Sequence, residues 1–275
     1  HVEPGRLPQA VDTRLRRPQT RFEAFRIGGL MPSSVSANIH LDRVRDAVRS
    51  VASRSRTDVL AVIKADAYGF GAGRVIEAID DQVAGYYVFH PREVLASRLH
   101  EHTRKSFIAA VPEGETPAEL RQARIRPGVW TVDQARHYAT CDPVLCVDTG
   151  MQRFACPMDQ VDAVLKAVPI REAFTHASRR EQAEALAGLL GGRGIRLHAA
   201  GSALLDEPAC TLDAVRPGLA LYRRALSVQA TLVDARPSRG PVGYGGFFAR
   251  HHGVILAGYS HGLRQGPCLV NGRRQ

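Results

Sequence analysis

The chain has 275 residues, 44% of them hydrophobic, enough for one large core and a smaller companion. No apolar run approaches the roughly 18 residues that a membrane-spanning helix needs and no secretory signal is evident, so a cytoplasmic protein is expected. The formal charge of +10 comes from arginines spread along the chain without a nucleic-acid motif, which argues against a nucleic-acid partner.

Residues 1–33 are rich in Arg and Pro and lack a period, as expected of a loose basic leader. From Val35 short apolar runs recur at Val35–Leu41, Val59–Ile63, Gly85–Phe89, Ser106–Ala110, Gly128–Val132, Pro143–Val147, Arg171–Thr175, Ile195–Ala199 and Ala214–Val215. Helical patterns lie between most of them, for example at Leu41–Ala52, Pro91–Leu99, Asp133–Tyr138, Met158–Val168 and Arg179–Leu190. About eight strand–helix units predict an α/β protein with a closed (β/α)8 barrel over residues 34–226. Beyond Leu226 the alternation loses its helices, and Ser227–Ala235 and Gly253–Tyr259 read as strands of a partial antiparallel β-domain over residues 227–275. Asn271-Gly272 is a hairpin signal with three residues after it, which reads as a domain cut short or completed by another chain.

Only Lys64, Lys105 and Lys166 are lysines, so a lysine inside an apolar run needs a specific reason. Lys64 ends the predicted strand Val59–Ile63 just before a Gly-rich turn, the strand edge where chemistry sits in parallel α/β folds. A partly desolvated amine there has a lowered pKa and a lone pair free to attack a carbonyl carbon, giving a Schiff base. A strand-end lysine reaching out to water is the plainer alternative. The five cysteines (Cys141, Cys146, Cys156, Cys210 and Cys268) are odd in number and lack metal-type spacing, as reduced thiols would be. His251-His252 point apart on a strand and read as surface residues, not metal ligands.

Five segments taken together resemble the alanine racemase family of pyridoxal-phosphate enzymes. They are Ala61-Val-Ile-Lys-Ala-Asp-Ala-Tyr-Gly, Val147-Asp-Thr-Gly-Met-Gln-Arg-Phe, Thr175-His-Ala-Ser, Val215-Arg-Pro-Gly-Leu-Ala-Leu-Tyr and Gly243-Tyr-Gly-Gly. The resemblance implies a two-base racemase that interconverts L- and D-alanine, with pyridoxal 5'-phosphate held on Lys64, which is also one proton-transfer base. Tyr68, Ser202 and the amides around Gly201, Gly218 and Leu219 would hold the phosphate, Arg216 would face the ring nitrogen, and His198 would orient Arg216. Tyr244 would be the second base, supplied by the other subunit of a homodimer and contacted by His176. Arg153 and Tyr259 would meet the substrate. An arginine facing the ring disfavours its protonation, which limits delocalisation of the carbanion and hence side reactions.

Four departures stand out. Cys146 occupies a position where the family often has a carboxylated lysine, and Gly201 replaces an asparagine of the phosphate segment. The aspartate of the family's Gly-Tyr-Ala-Asp pattern is replaced within Gly258-Tyr-Ser-His-Gly, and family segments beyond residue 275 have no counterpart. Two further functions therefore stay open. One is a cofactor-binding protein with little or no racemase activity, and the other is a related enzyme acting on another amino acid.

Overall fold

The computed structural model describes residues 11–13, 35–270 and 273–274. The larger part of the basic leader and the Asn271-Gly272 turn thus lie outside the described residues. Two compact units emerge, Leu41–Tyr222 and a second that joins His1–His40 to Arg223–Gln275.

The first unit is a closed parallel barrel. Its strands are β1 Asp58–Val62, β2 Gly85–Val88, β3 Phe107–Ala109, β4 Ile125–Val129, β5 Val144–Asp148, β6 Glu172–Ala177, β7 Arg196–Gly201 and β8 Ala214–Arg216. Each pairs with its sequence neighbour, and β8 closes on β1 through Ala214↔Asp58 and Val215↔Val59. The strands are apolar along their length because helices cover one face and the barrel core the other. Leu60, Ile108, Val144, Cys146, Phe174 and Ala214, from five of the eight strands, form one buried cluster. At Gly128 an added Cβ would come within 2.5 Å of Ala110 O, so a glycine lets β3 and β4 pass closely there.

The helices follow from the sequence in the same way. Leu41–Ser55 buries Val44, Val48 and Val51 along one stripe and carries Asp42 in its first turn and Arg54 in its last. Thr116 caps Pro117–Gln122 by accepting from Glu119 N, and Thr131 caps Val132–His137 by accepting from Gln134 N.

In the second unit, five strands form one sheet in the order Arg273–Arg274, Leu269–Val270, Val11–Thr13, Leu226–Ala230, Val35–Ile39. Leu232–Pro237 and His251–Ile255 pair antiparallel beside it in sequence. Val35–Ile39, the first run of the predicted alternation, is not a barrel strand but pairs antiparallel with Leu226–Ala230. Its polar residues Ser36 and Asn38 alternate with apolar ones, the pattern of a one-sided strand and not of a barrel stave. The leader contributes the strand Val11–Thr13, which at three residues is too short to carry a period.

Candidate active site

The chemistry-bearing residues of the barrel gather at the C-terminal ends of its strands. Lys64 follows β1, Arg153 lies in the loop after β5, His176 is near the end of β6, Ser202 follows β7, and Arg216 ends β8. Beyond Arg216 come Pro217, Gly218 and the short helix Leu219–Tyr222.

The turn after Lys64 is not the glycine turn that the sequence suggests. Ala65, Asp66, Ala67 and Tyr68 all take left-handed helical angles, with φ of 52°, 53°, 52° and 58°. For residues with a Cβ this conformation costs roughly 1–2 kcal/mol each, so the surroundings must impose it. The turn is tied by Ala67 N to Ile63 O at 2.8 Å, Gly71 N to Asp66 O at 3.0 Å and Ala72 N to Asp66 Oδ1 at 2.7 Å. The Tyr68 ring packs against Tyr222 at 5.1 Å, and Tyr222 is pinned by donating its hydroxyl to Val62 O at 2.9 Å. Lys64 Nζ stands 6.0 Å from the Tyr68 ring centre. Burial pushes the Tyr68 phenol above its ordinary pKa, so it remains a donor at neutral pH.

Across from this turn Ser202 Oγ accepts from Gly218 N at 2.9 Å and Ala220 N at 3.1 Å. A Cβ at Gly218 would meet the Tyr68 hydroxyl at 2.3 Å, so the approach of the two segments requires glycine at 218. With its oxygen held by two amides, the Ser202 hydroxyl can donate outward beside the Tyr68 phenol, a pair of donors that suits a phosphate. Leu219, the first residue of the short helix, is 42% exposed.

Arg216 is 4% exposed and clamped between two rings, its guanidinium carbon 4.6 Å from Phe174 and 5.0 Å from Tyr87. Nη2 donates to Thr175 O and, at 3.4 Å, to Ala199 O. These carbonyls belong to irregular stretches of the barrel, since the register of β6 with β7 shifts between Phe174 and Ala177 and that of β7 with β8 between His198 and Gly201. Bulges of this kind disrupt the ladder and re-aim residues beside functional sites. Arg216 Nε has no hydrogen-bond partner among the described residues. A buried, unpaired cationic donor is costly unless something else accepts from it. Burial lowers the Arg216 pKa, but a guanidinium is basic enough to keep its charge at neutral pH.

His198 is fully buried and stacks on Phe174 with 11° between the rings. Its Nε2 lies 3.2 Å from Glu172 Oε1, and Glu172 also pairs with Arg126 and, at 3.4 Å, with Arg196. Arg196 in turn meets Asp58 at 2.6 Å. Burial holds the His198 imidazole down at about 4, against the pull of Glu172. Glu172 is set at about 2, where pairing with His198 and Arg126 outweighs a burial effect of opposite sign.

Both shifts act on stability in the same direction. Unfolded Glu172 binds its proton near 4.5 and unfolded His198 near 6.5, each above the folded value. The unfolded chain therefore takes up more protons as the pH falls, and these stabilising contributions, complete above about pH 6.5, are lost between 6.5 and 2. For Glu172 alone the loss is on the order of 3 kcal/mol. We expect the thermal midpoint to fall continuously across that window, and Glu172→Gln to lower it at pH 7 and flatten the lower half of the profile. A pH-independent midpoint in the unmodified protein would contradict the pairing.

His176 is exposed at the barrel edge, yet desolvation by its surroundings and the charges of Arg216, Arg153 and Lys64 hold it at about 4. The same crowding of three cations makes the mouth electropositive. Cys146 adds no anion, because burial pushes its thiol up to about 12. Tyr87, also raised to about 12 by burial, stays a neutral phenol against Arg216 and Arg153.

The structure thus brings Lys64, Tyr68, Arg153, His176, His198, Ser202, Arg216, Gly218 and Leu219 into one unit at one barrel edge and its core. Tyr244 and Tyr259 belong to the second unit, where they are 110% and 91% exposed. His251 is exposed, and His252 Nδ1 pairs with Ser238 Oγ at 3.0 Å. Sequence reasoning missed Tyr87, Phe174 and Glu172. Their only signal was a polar or aromatic residue within a barrel stave.

A family model described as alanine racemase, N-terminal domain, matches residues 39–225. The alanine racemase of Xanthomonas campestris pv. campestris (strain 8004) is 27% identical over 86% of this chain and 79% of its own length. That of Dinoroseobacter shibae is 29% identical over 84% and 76%. Among solved structures, biosynthetic alanine racemase from Pseudomonas aeruginosa superposes with a TM-score of 0.72 at 25% identity, covering 87% of this chain and 81% of that one. Alanine racemase from Bartonella henselae, with covalently bound pyridoxal phosphate, gives 0.72 at 20% identity over 88% and 82%.

Proposed function

We propose that this chain, which belongs to the alanine racemase family, is a pyridoxal-phosphate-dependent amino-acid racemase, with alanine the first substrate to test. The observation that carries the reading is Arg216, a buried guanidinium whose Nε lacks a hydrogen-bond partner among the described residues at the mouth where Lys64 enters. The residues present fit the cofactor. Lys64 offers the amine, Arg216 Nε a donor for a ring nitrogen, and the hydroxyls of Ser202 and Tyr68 donors for a phosphate, the Ser202 oxygen being oriented by Gly218 N and Ala220 N. Once bound, pyridoxal phosphate supplies an electron sink that acidifies the α-carbon of an amino acid joined to it.

The chain's own groups then divide the work. Lys64 Nζ takes or returns the α-proton on one face of the substrate carbon. Racemisation needs a second group on the opposite face, and Tyr244 of a partner subunit fills that role in this reading. Arg153 attracts the substrate carboxylate, and Tyr259 is the further substrate-side group in this reading. His176, neutral above about pH 4, is free to hydrogen-bond the partner's tyrosine without adding a fourth cation. Held between Phe174 and Tyr87, the Arg216 guanidinium would donate to a ring nitrogen without giving up a proton.

Purified protein incubated with pyridoxal phosphate, reduced with borohydride and peptide-mapped should carry the pyridoxyl group on Lys64. Label on Lys105, whose Nζ donates to Val83 O, or on Lys166 in the last turn of Val161–Ala167, would refute the assignment. Chiral analysis after incubation with L-alanine should reveal D-alanine. Label on Lys64 with no enantiomer formed would favour the cofactor-binding protein.

A further inference from the structure

We infer that Glu93 is the positioning residue that sets Lys64, by fastening the left-handed turn that begins at Ala65. The inference rests on Lys64 being the amine that takes pyridoxal phosphate.

Glu93 lies in the first turn of Pro91–Ala96, the helix after β2. One carboxylate oxygen, Oε1, accepts from Phe89 N at 2.8 Å and His90 N at 2.9 Å, which caps its own helix. The other, Oε2, reaches across to the end of β1 and accepts from Ala65 N at 2.5 Å. Ala65 is the residue directly after Lys64 and the first of the four left-handed residues. Its amide is directed by a side chain 28 positions away in sequence, whereas Ala67, Phe70 and Gly71 farther along are tied by backbone carbonyls of the same segment. The carboxylate holds the Lys64–Ala65 peptide plane in the orientation from which the left-handed run departs. The peptide that it grips is the one leaving Lys64, so the grip fixes ψ of the lysine and the direction in which its side chain departs. An ordinary helix cap needs only Oε1, which leaves Oε2 as a dedicated tie.

Two substitutions separate this role from capping. In Glu93→Gln one oxygen becomes an NH2 group, which opposes either Ala65 N–H or the capping amides, donor against donor. Loss of a charged acceptor of this kind should slow borohydride-trapped labelling of Lys64 at limiting pyridoxal phosphate about tenfold. Ala65→Gly removes the Cβ that makes the left-handed conformation costly, and since Ala65 is exposed no packing is lost with it. The double variant E93Q/A65G should therefore recover about threefold of the tenfold loss, a coupling that capping alone cannot produce.

Labelling rates are compared per folded molecule, with circular dichroism as the control. If E93Q labels Lys64 at the unmodified rate, or the double variant is no faster than E93Q, the inference is overturned. If E93Q does not fold, the double variant should, and its failure to do so also overturns the inference. Absence of Lys64 labelling in the unmodified protein would instead overturn the functional reading and this inference with it.

Discussion

Replacing Lys64 with alanine is expected to lower racemisation at least about 10⁴-fold, to the floor of a chiral assay. Two contributions vanish together. A positioned proton-transfer group accounts for about 10²–10⁴ by itself, and the covalent attachment that precedes transfer is lost as well. The fold should survive, because Lys64 is half-buried at a strand end and its backbone is held by neighbours such as Ile63 N to Tyr87 O at 3.0 Å. Lys105→Ala and Lys166→Ala serve as controls and should keep their activity. An added small amine, entering the space the side chain vacates, should restore part of the rate. Retention of more than about one hundredth of the activity in Lys64→Ala would exclude the lysine as a base.

Much of this arrangement is legible in the chain before any coordinates. Barrel staves announce themselves because both of their faces are buried, so runs such as Val59–Ile63 and Pro143–Val147 are continuous and bounded by turn residues. The helix at Leu41–Ser55 shows its stripe of valines just as openly. What stays hidden is conformation that no residue type advertises. Nothing in Ala65-Asp-Ala-Tyr foretells four left-handed residues, since glycine is the usual marker and comes only at Gly69 and Gly71. Glu93 caps its own helix, and its second oxygen's contact with Ala65 crosses from one barrel unit to the next. Tyr87 and Phe174 read as core aromatics, because a cation between two rings requires three strands to be placed first. Val35–Ile39 misleads in the opposite sense, with a strand signal in the right place that pairs with a different sheet.

Mixing two inactive chains should generate activity. Tyr244 is fully exposed in the second unit, with Phe247 and Phe248 beside it at 52% and 80% exposure. A phenol surrounded by water is a poor base at neutral pH. It becomes useful only where cations stabilise its phenolate, and a barrel mouth carrying Lys64, Arg153 and Arg216 is such a place. If that mouth belongs to another copy of the chain, each working site combines Lys64 of one subunit with Tyr244 of its partner. Lys64→Ala and Tyr244→Ala homodimers then have no intact site, and each should lose nearly all turnover. Unfolded together and refolded, equal amounts should pair at random, so that about half of the dimers are mixed and each of these holds one intact site of two. The expected recovery is about one quarter of the unmodified activity, and it should rise and fall with the mixed-dimer fraction measured by native mass spectrometry. Mixed dimers without activity would remove Tyr244 from the reaction. Full activity in a monomeric fraction would show that no second subunit is needed, and the second base would then have to be sought in the barrel itself, with the buried Tyr87 phenol the first group to replace.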